Sequence, residues 1–437
     1  PSARRARLLV APMSTSAPAP VFSYVGGASA AQTVVTDSPF FGRVPRPEQE
    51  KTAIAILKYA SGGPVLSGMH PMSAHVGWLA RHPTNGHLYA ASAGRLISLR
   101  IAQDGSLRET SSANALGNPA HFELSSDGAW VLVANYAESN VVVLPILPDG
   151  TVGDAVDSKH HALPAPNPAL RERQESSHPH QVRLDPRGEK WALVPDLGAD
   201  RVWVYGFDAS RGSLLGASNS KRHLELPEGA GPRHLDFHPN GRWVYVLCEL
   251  DGKIVCCSWD GLSGTLTPFQ SVSTLPDRVE PCRAHHSGSA HIRVSRNGRA
   301  VYATTRTDGS AVVLQVSPTG ELTVSQSVTS GGICPRHFVL DYAPAGDAWL
   351  RIANQDSQTI VSYLLGKNGE MTAPGDGLWQ TVWASPATLE LDGLCPSVIT
   401  PPAPPPIWQL SEAGPTAAVP ATGVIRSSFE HMFGALA

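Results

Sequence analysis

Short apolar runs rich in β-branched and aromatic residues recur along the chain, each introduced by a tight polar turn. Residues 237–259, FHPNGRWVYVLCELDGKIVCCSW, show the pattern: a turn around Gly241, an apolar run, a polar interruption and a second apolar run. Runs this short and this β-branched indicate strands rather than helices. Because glycine and asparagine tolerate the left-handed dihedrals that such turns demand, the pattern predicts a series of β-hairpins.

The pattern repeats along the chain with a nearly regular period. Its turn glycines are separated by 42, 60, 53, 57 and 48 residues, and a period of about 40–50 residues is typical of four-stranded propeller blades. A seventh blade is expected to form when residues 21–27 pair with strands near 385–400, which would remove exposed sheet edges. The sequence therefore predicts an all-β fold, a seven-bladed β-propeller with four-stranded antiparallel blades. The six copies lie at 81–92, 124–146, 184–207, 237–259, 294–316 and 341–364.

Both ends of the chain fall outside this period. Residues 1–20 contain arginine and serine but no acidic residue, and are interpreted as a leader that is either disordered or a transit peptide for an organelle. From residue 401 the chain is rich in proline and aperiodic, which predicts a disordered C-terminal tail over 401–437. The propeller domain is accordingly expected to span 21–400, with a polar insertion at 157–177.

Composition excludes several classes of function. The formal net charge is −3, so no positive field favours nucleic acid as a partner. No apolar run reaches the roughly 18–20 residues that a membrane helix needs. The six cysteines form no C-x-x-C pair, which indicates neither a zinc site nor a disulfide framework. A cytoplasmic location is expected, unless the leader directs the protein to an organelle.

Charged and polar residues recur at two positions that flank the strands of each repeat. In a propeller, strand ends and loops from every blade converge on the mouth of a central channel, so residues remote in sequence are expected to meet there. Arg233, Arg306, Arg336 and Glu249 would place several charges in one constricted mouth, where they are costly unless matched. Guanidinium groups in such a place suit a carboxylate or a phosphate, and a neighbouring glutamate or histidine can move protons.

These positions also admit a purely structural interpretation. The charges could form a network of ion pairs between blades without any substrate. Histidine recurs at His121, His234 and His337, where an imidazole can bridge neighbouring blades through its two ring nitrogens. The histidine pair at 160–161 lies in the polar insertion and is interpreted as solvated.

Four segments of the sequence resemble the seven-bladed propeller lactonases. This family includes the cycloisomerase-2 type of 6-phosphogluconolactonase and the fungal 3-carboxy-cis,cis-muconate lactonizing enzyme. The resemblance covers residues 21–400, and it implies chemistry on a lactone without a metal or an organic cofactor. The segments are DLGADRV at 196–202, GPRHLDFHPNGRWVYVLCEL at 231–250, PRHF at 335–338 and ANQDSQTIVSY at 353–363.

The resemblance also implies an active site at the channel mouth. In the lactonizing branch a histidine, two arginines and a glutamate surround the channel, and the motifs place them at His180, Arg233, Arg306 and Glu249. These four are the expected catalytic residues, with His178 as the alternate for the histidine. The residues expected to bind substrate are Arg336, His178, His234, His337 and Gln355.

The leading hypothesis is hydrolysis of 6-phosphogluconolactone to 6-phosphogluconate by metal-free general acid/base catalysis. Glu249 or His180 would activate a water molecule, and Arg233 or Arg306 would stabilise the oxyanion. The remaining arginines would hold the phosphate. The expected partner is thus a small phosphorylated or carboxylated lactone, and the protein is expected to be a monomer or a weak homo-oligomer.

Three alternative functions remain at this stage. A muconate-type cyclizing isomerase would use the same residues, with the arginines binding substrate carboxylates. A non-enzymatic propeller scaffold would bind its partners through rim surfaces and would not need arginines around the axis. A metal-dependent lactonase could take two ligands from His178 and His180, but no third ligand lies nearby in sequence.

Overall fold

The apolar runs of each repeat form the two middle strands of a four-stranded antiparallel sheet. In the computed structural model, Trp243–Cys248 pairs with Lys253–Asp260 in this way, and the first of these strands is buried except at Trp243. A strand that is covered on both faces is apolar throughout rather than alternating. The outermost strand of the same sheet, Thr265–Ser273, is largely exposed, so it carries more polar residues and a weaker signal.

The structure describes residues 22–28, 52–60, 63–162, 171–216, 222–277, 279, 281, 288–342, 348–372, 379–381 and 385–391. The expected leader, 1–20, and the expected tail, 401–437, lie outside the described residues. All of the described residues belong to one compact unit. No helix in the described part of the chain is both long and apolar enough to span a membrane.

Seven antiparallel sheets, here called blades 1 to 7, are present in the described part of the chain: five have four strands, and in blades 4 and 7 two short strands pair with the third strand. Three strands of blade 1 come first: β1 (Phe22–Ala28), β2 (Ala53–Ala60) and β3 (Gly63–Pro71). Blade 2 contains β4 (Val76–Arg81), β5 (His87–Ser92), β6 (Arg95–Ile101) and β7 (Leu107–Asn114). Blade 3 contains β8 (Pro119–Leu124), β9 (Trp130–Asn135), β10 (Asn140–Pro145) and β11 (Asp157–His160). Blade 4 follows the short helix α1 (Arg171–Gln174) and contains β12 (Arg183–Leu184), β13 (Trp191–Asp196), β14 (Arg201–Asp208), β15 (Ser213–Leu215) and β16 (His223–Glu225).

The remaining blades continue in the same order. Blade 5 contains β17 (Pro232–Phe237), β18 (Trp243–Cys248), β19 (Lys253–Asp260) and β20 (Thr265–Ser273). Blade 6 contains β21 (Ser289–Val294), β22 (Ala300–Thr305), β23 (Ser310–Val316) and β24 (Leu322–Thr329). Blade 7 contains β25 (Pro335–Tyr342), β26 (Ala348–Asn354), β27 (Thr359–Leu365), β28 (Met371–Thr372) and β29 (Trp379–Thr381), and the last strand is β30 (Ser385–Leu391). The innermost strands are β4, β8, β12, β17, β21, β25 and β30. Most of them contact the next innermost strand around the channel.

Blade 1 is closed by the two ends of the described chain. β30 pairs antiparallel with β1, with Ser23 opposite Leu391 and Val25 opposite Leu389. The prediction that residues 21–27 close the ring with a segment near 385–400 is thereby confirmed. Because β30 also contacts β4 and β25, this single pairing completes the ring of inner strands.

The turn glycines adopt the dihedrals that the sequence predicts. Three of them also pack so closely that a β-carbon would clash: one on Gly128 would lie 2.2 Å from His82, one on Gly298 2.5 Å from His238 and one on Gly241 2.1 Å from Arg187. Each of these histidines hydrogen-bonds the carbonyl of the glycine in the next blade, at 3.0 and 2.9 Å. The turn residues with positive φ are Gly86 at 72°, Gly128 at 71°, Gly188 at 100°, Gly241 at 65° and Gly298 at 72°.

A tyrosine hydroxyl ties neighbouring blades together at four places. In each, a tyrosine in the second strand from the channel donates to the carbonyl of a glycine in the outer hairpin of the next blade. Burial raises the pKa of Tyr24 and of Tyr89 to about 12, so the hydroxyls stay protonated donors. The pairs are Tyr24 with Gly105, Tyr89 with Gly150, Tyr245 with Gly320 and Tyr302 with Gly369, at 3.1, 3.0, 2.9 and 2.9 Å.

One feature of the sequence-based picture is wrong. In four of the five repeats for which such a segment was identified, the segment placed before the first strand belongs to the innermost strand: Arg233 and His234 lie in β17, and Arg336 and His337 lie in β25. Their polar side chains face the channel, so these strands lack the apolar pattern that marks the middle strands. The register shifts just before the histidine in both, between Pro232 and His234 and between Pro335 and His337, and such a bulge re-aims a side chain.

We expect Tyr245→Phe to lower the free energy of unfolding by about 1–2 kcal/mol, because the buried carbonyl of Gly320 loses its donor. Urea denaturation followed by circular dichroism measures the change. Thr267→Val, which removes an exposed hydroxyl from β20, is the matched control and is expected to change stability by less than about 0.5 kcal/mol. Equal stability of Tyr245→Phe and wild type would show that the hydroxyl contributes nothing to blade packing.

Candidate active site

Bulges in the innermost strands recur at one level of the channel and build the rim of a cavity. Besides β17 and β25, β4, β8 and β21 shift register at the equivalent place. Three bulged residues, Gly77, Ala120 and Arg336, line a cavity of about 210 Å³, here called the mouth cavity. Six of the seven blades contribute to its lining, which comprises His75, Gly77, Ala91, Asn118, Pro119, Ala120, Tyr136, Arg173, His180, Glu249, Arg306 and Arg336.

Glu249 lies at the centre of the charges around the mouth cavity. It directly follows β18 and is 3% exposed. Its Oε1 is contacted by Nη2 of Arg173, while Oε2 lies 2.8 Å from Nε of Arg233 and 3.0 Å from Nη2 of Arg306. Burial alone would raise the pKa of Glu249, but the three guanidinium groups outweigh it and hold the pKa well below its ordinary value of 4.5. Glu249 is therefore a permanent carboxylate that neutralises part of the arginine charge.

Two guanidinium donors in this cluster form ion pairs with Glu249 but no hydrogen bond to a described residue. Nε of Arg233 and Nη2 of Arg306 lie close to Glu249 but have no hydrogen-bond partner in the described part of the chain. Arg336, on the cavity wall, forms no ion pair with a described carboxylate. Because buried polar groups nearly always find partners, and because guanidinium stays charged, these donors suit an anionic ligand.

His180 supplies a neutral base beside these charges. Burial and the positive charge of Arg233 lower its pKa well below the ordinary value of 6.5, and the opposing effect of Glu249 is smaller. The imidazole is thus uncharged at neutral pH, and its Nδ1 has no hydrogen-bond partner among the described residues. Its position is fixed through the backbone, since the amide of His180 donates to the carbonyl of Pro195 at 3.0 Å. A neutral imidazole next to a carboxylate can accept a proton and be stabilised when charged.

Sequence reasoning missed Arg173 and Tyr136. Arg173 lies in α1, within the insertion at 157–177, and a four-residue helix leaves no periodic signal in a polar segment. The helix is held in place by Gln174, whose Nε2 donates to the carbonyl of Leu197 at 2.7 Å and to Asp200 at 2.8 Å. Tyr136 comes one residue after β9, the same strand end from which Glu249 follows in blade 5, so equivalence between blades could have identified it.

Both described ends of the insertion contain residues that are more deeply buried than its polar composition suggests. His161, interpreted above as solvated, is 4% exposed. Its two ring nitrogens contact Asp196 at 2.8 Å and Tyr205 at 2.6 Å. Asp196 also accepts the hydroxyl of Ser177 and the amide of His178. Both ends of the insertion are therefore fastened to one buried carboxylate, which places α1 over the channel.

The structure brings together Glu249, His180, Arg233, Arg306 and Arg336, but it separates the other expected residues from the mouth cavity. His178 stacks on Tyr136 at 4.2 Å and hydrogen-bonds the tyrosine carbonyl at 2.9 Å, so it supports the wall instead of lining it. Neither it nor Gln355 is a lining residue. Gln355 follows β26, and its amide donates to the carbonyl of Cys334 at 2.9 Å.

The other two expected substrate-binding residues, His234 and His337, lie one layer deeper in the channel. They belong to a cluster of rings, here called the aromatic floor, in which Nδ1 of His234 lies 2.7 Å from Nδ1 of His291. Burial lowers the pKa of His337 to about 3, so its imidazole is neutral and tolerates close aromatic packing. Their position differs from the expectation because the bulged arginine, rather than the histidine after it, reaches the mouth. The floor consists of Trp78, His121, His234, His291 and His337, with ring centroids 4.2 Å apart for the first pair and 4.3 Å for the last.

The described residues contain no group of three or more histidine, cysteine, aspartate or glutamate side chains that could hold a metal ion. His178, which was considered as a ligand together with His180, has its Nε2 3.0 Å from Glu175. The polar groups of the mouth cavity are instead dominated by guanidinium donors.

Comparisons with known proteins agree with this architecture. The family model described as lactonase, 7-bladed beta-propeller, matches residues 54–376. The chain is 31% identical to the 6-phosphogluconolactonase of Bacillus subtilis over 247 residues, which are 56% of this chain and 66% of that relative. It is 30% identical to the 6-phosphogluconolactonase of Pectobacterium carotovorum over 312 residues, covering 69% and 86% of the two chains.

A solved structure gives the same result for the fold. The periplasmic gluconolactonase of Pseudomonas aeruginosa superposes with a TM-score of 0.69 at 25% identity, covering 85% of this chain and 99% of that one. The family match extends over most of the described blades, and it confirms the resemblance that the sequence motifs indicated. The chain belongs to the seven-bladed β-propeller lactonase family.

Proposed function

We propose that this protein hydrolyses a sugar lactone, 6-phosphogluconolactone, to 6-phosphogluconate. The observation that carries the proposal is the set of guanidinium groups around one permanent carboxylate and next to one neutral imidazole. A phosphorylated lactone needs two things from its site: charge to hold the phosphate, and donors for the oxyanion that forms when water attacks the carbonyl. Relatives that bear the name 6-phosphogluconolactonase support the choice of substrate.

His180 is the better candidate for the general base. Both carboxylate oxygens of Glu249 are engaged by guanidinium groups, which oppose its protonation. His180 is neutral and has a ring nitrogen without a partner. It takes the proton of the attacking water, and the nearby charge of Glu249 stabilises the imidazolium that results.

The arginines divide the remaining tasks. Arg306, whose Nη2 pairs with Glu249 at 3.0 Å but forms no hydrogen bond to a described residue, donates to the oxyanion of the tetrahedral intermediate. When the intermediate collapses, the ring oxygen leaves and takes the proton back from His180. The products are the hydroxyl group and a carboxylic acid, which ionises in water. Arg336, which lacks a carboxylate partner among the described residues, holds the phosphate.

The alternatives have less support. The cyclizing isomerase would use the same arginines for carboxylates, but the relatives reported above carry lactonase or gluconolactonase names. A scaffold would have no need for buried guanidinium donors in a cavity. Loss of diene absorbance on incubation with a carboxylated muconate would identify the isomerase directly.

We expect the wild-type protein to accelerate acid release from 6-phosphogluconolactone in a pH-stat, with or without a strong chelator. His180→Gln should lower kcat by about 10²–10⁴-fold, since it removes the base. Glu249→Gln should lower kcat more than it raises KM, because it removes the charge that stabilises the imidazolium. His160→Gln, at an exposed position on β11, is the control and should retain wild-type turnover.

Two results of this assay would contradict the proposal. Acid release by wild type at the spontaneous rate would exclude the hydrolase function. Wild-type turnover by a folded His180→Gln variant, with its fold checked by circular dichroism, would exclude His180 as the base.

We expect Arg336→Gln to weaken use of the phosphorylated lactone selectively. Loss of a charge-assisted contact worth about 1.5–3 kcal/mol should lower kcat/KM for 6-phosphogluconolactone by about 10–100-fold. For glucono-δ-lactone, which has no phosphate, kcat/KM should change by less than about threefold. Steady-state kinetics with both lactones measures the ratio, and Arg108→Gln, an exposed position on β7, is the control. Equal losses on the two lactones would assign Arg336 to the reacting carbonyl instead of the phosphate.

A further inference from the structure

A second cavity lies beneath the aromatic floor. It has a volume of about 340 Å³ and shares no lining residue with the mouth cavity. Trp78, His121, His291 and His337 form part of its wall. The rings of the floor therefore stand between two separate cavities in the same channel.

The order of residues along the inner strands fixes the arrangement of the two cavities. In β8, Ala120 lines the mouth cavity, His121 belongs to the floor and Glu123 lines the second cavity. The same order recurs in β25, where Arg336 is followed by His337. Since a strand rises by about 3.3 Å per residue, the second cavity lies about 10 Å further along the channel than the mouth.

Charged side chains of successive blades form the polar part of the second cavity. Arg183 bridges two carboxylates, with Nη1 2.7 Å from Glu123 and Nη2 2.8 Å from Asp236. Arg293 lies further away, its Nε 3.8 Å from Asp236. Three guanidinium groups line this cavity, those of Arg81, Arg183 and Arg293, whereas Glu123 is the lining carboxylate.

The carboxylates of Glu123 and Asp236 already accept hydrogen bonds from the protein. Glu123 accepts Arg183 and, through Oε2, the amide of Leu184 at 2.8 Å. Asp236 accepts Arg183 and, through Oδ2, the amide of Val294 at 2.9 Å. A ligand that enters this cavity consequently meets acceptors that already have partners.

Two buried nitrogen atoms of this cavity, in contrast, have no hydrogen-bond partner among the described residues. Nε of Arg183 is buried and has no hydrogen-bond partner in the described part of the chain. Nδ1 of His121 is likewise buried and unpartnered, in a side chain that is 3% exposed overall. The side chain of Arg293 is 41% exposed, and its distance from Asp236 exceeds that of a hydrogen bond. The donors that remain favour a ligand that offers oxygen acceptors and negative charge.

We propose that the second cavity binds a small organic anion that carries a carboxylate or a phosphate group. Arg293 and Arg183 contact the anionic group, and the neutral imidazole of His121 meets it from the floor. Phe122, Leu340 and their apolar neighbours provide a surface for the carbon skeleton. A volume of this size, with apolar side chains on half of the wall and convergent polar groups on the other half, suits a small molecule that has a charged group and a carbon skeleton. The site is independent of the lactone site at the mouth.

The test is isothermal titration of the full chain with two probes, malonate and inorganic phosphate, which distinguish a carboxylate from a phosphate as the preferred group. Wild type is expected to bind the preferred probe in two events, one at each cavity. Arg293→Gln should weaken one event at least tenfold, and Arg336→Gln should weaken the other. Arg299→Gln, an exposed position on the turn after β21, removes the same charge outside both cavities and should leave both events unchanged.

A second variant makes the test independent of Arg293. Ala80→Asp places a carboxylate on the wall of the second cavity and should abolish the same event as Arg293→Gln, with folding checked by the melting temperature. The proposal is overturned if both folded variants bind each probe as wild type does, or if a single event occurs and only Arg336→Gln removes it. Because lactone hydrolysis is measured separately, failure of this proposal leaves the proposed enzyme function untouched, and the reverse also holds.

Discussion

The pairing of β30 with β1 is the constraint on which the rest of the structure depends. It joins strands more than 350 residues apart in the chain and thereby turns a row of sheets into a closed ring without free inner edges. Only in a closed ring do the innermost strands surround one axis. That geometry brings Glu249 of blade 5, Arg306 of blade 6 and Arg336 of blade 7 to the wall of one cavity.

Closure of the ring also brings several guanidinium groups together, and Glu249 neutralises part of their charge. Several guanidinium groups converge where water is scarce, and such charges are costly unless they are compensated. One carboxylate with two oxygens neutralises three arginines only in part, so positive charge and unsatisfied donors remain. The remaining positive charge suits the anionic substrate of the proposed function, and the same arginines hold the pKa of Glu249 well below its ordinary value.

The aromatic floor separates two polar cavities in the channel. Its imidazoles are neutral because burial opposes their protonation, and neutral rings can pack closely across the axis where charged ones would repel. The floor therefore separates a mouth that holds Glu249 from a lower cavity in which Glu123 and Asp236 balance a different set of arginines. Two polar sites of distinct composition can in this way coexist on one axis.

The sequence by itself determined the middle strands, the turns and the number of blades, because buried middle strands are continuously apolar and left-handed turns require glycine or asparagine. Motif resemblance also identified Arg233, Glu249, Arg306 and His180 as one group. Only the tertiary structure decided which side chains reach the mouth: a bulge turns Arg336 toward it and leaves His337 in the floor. Arg173 and the second cavity were likewise hidden, since they arise from contacts between blades that are remote in sequence, and such contacts leave no periodic or local signal.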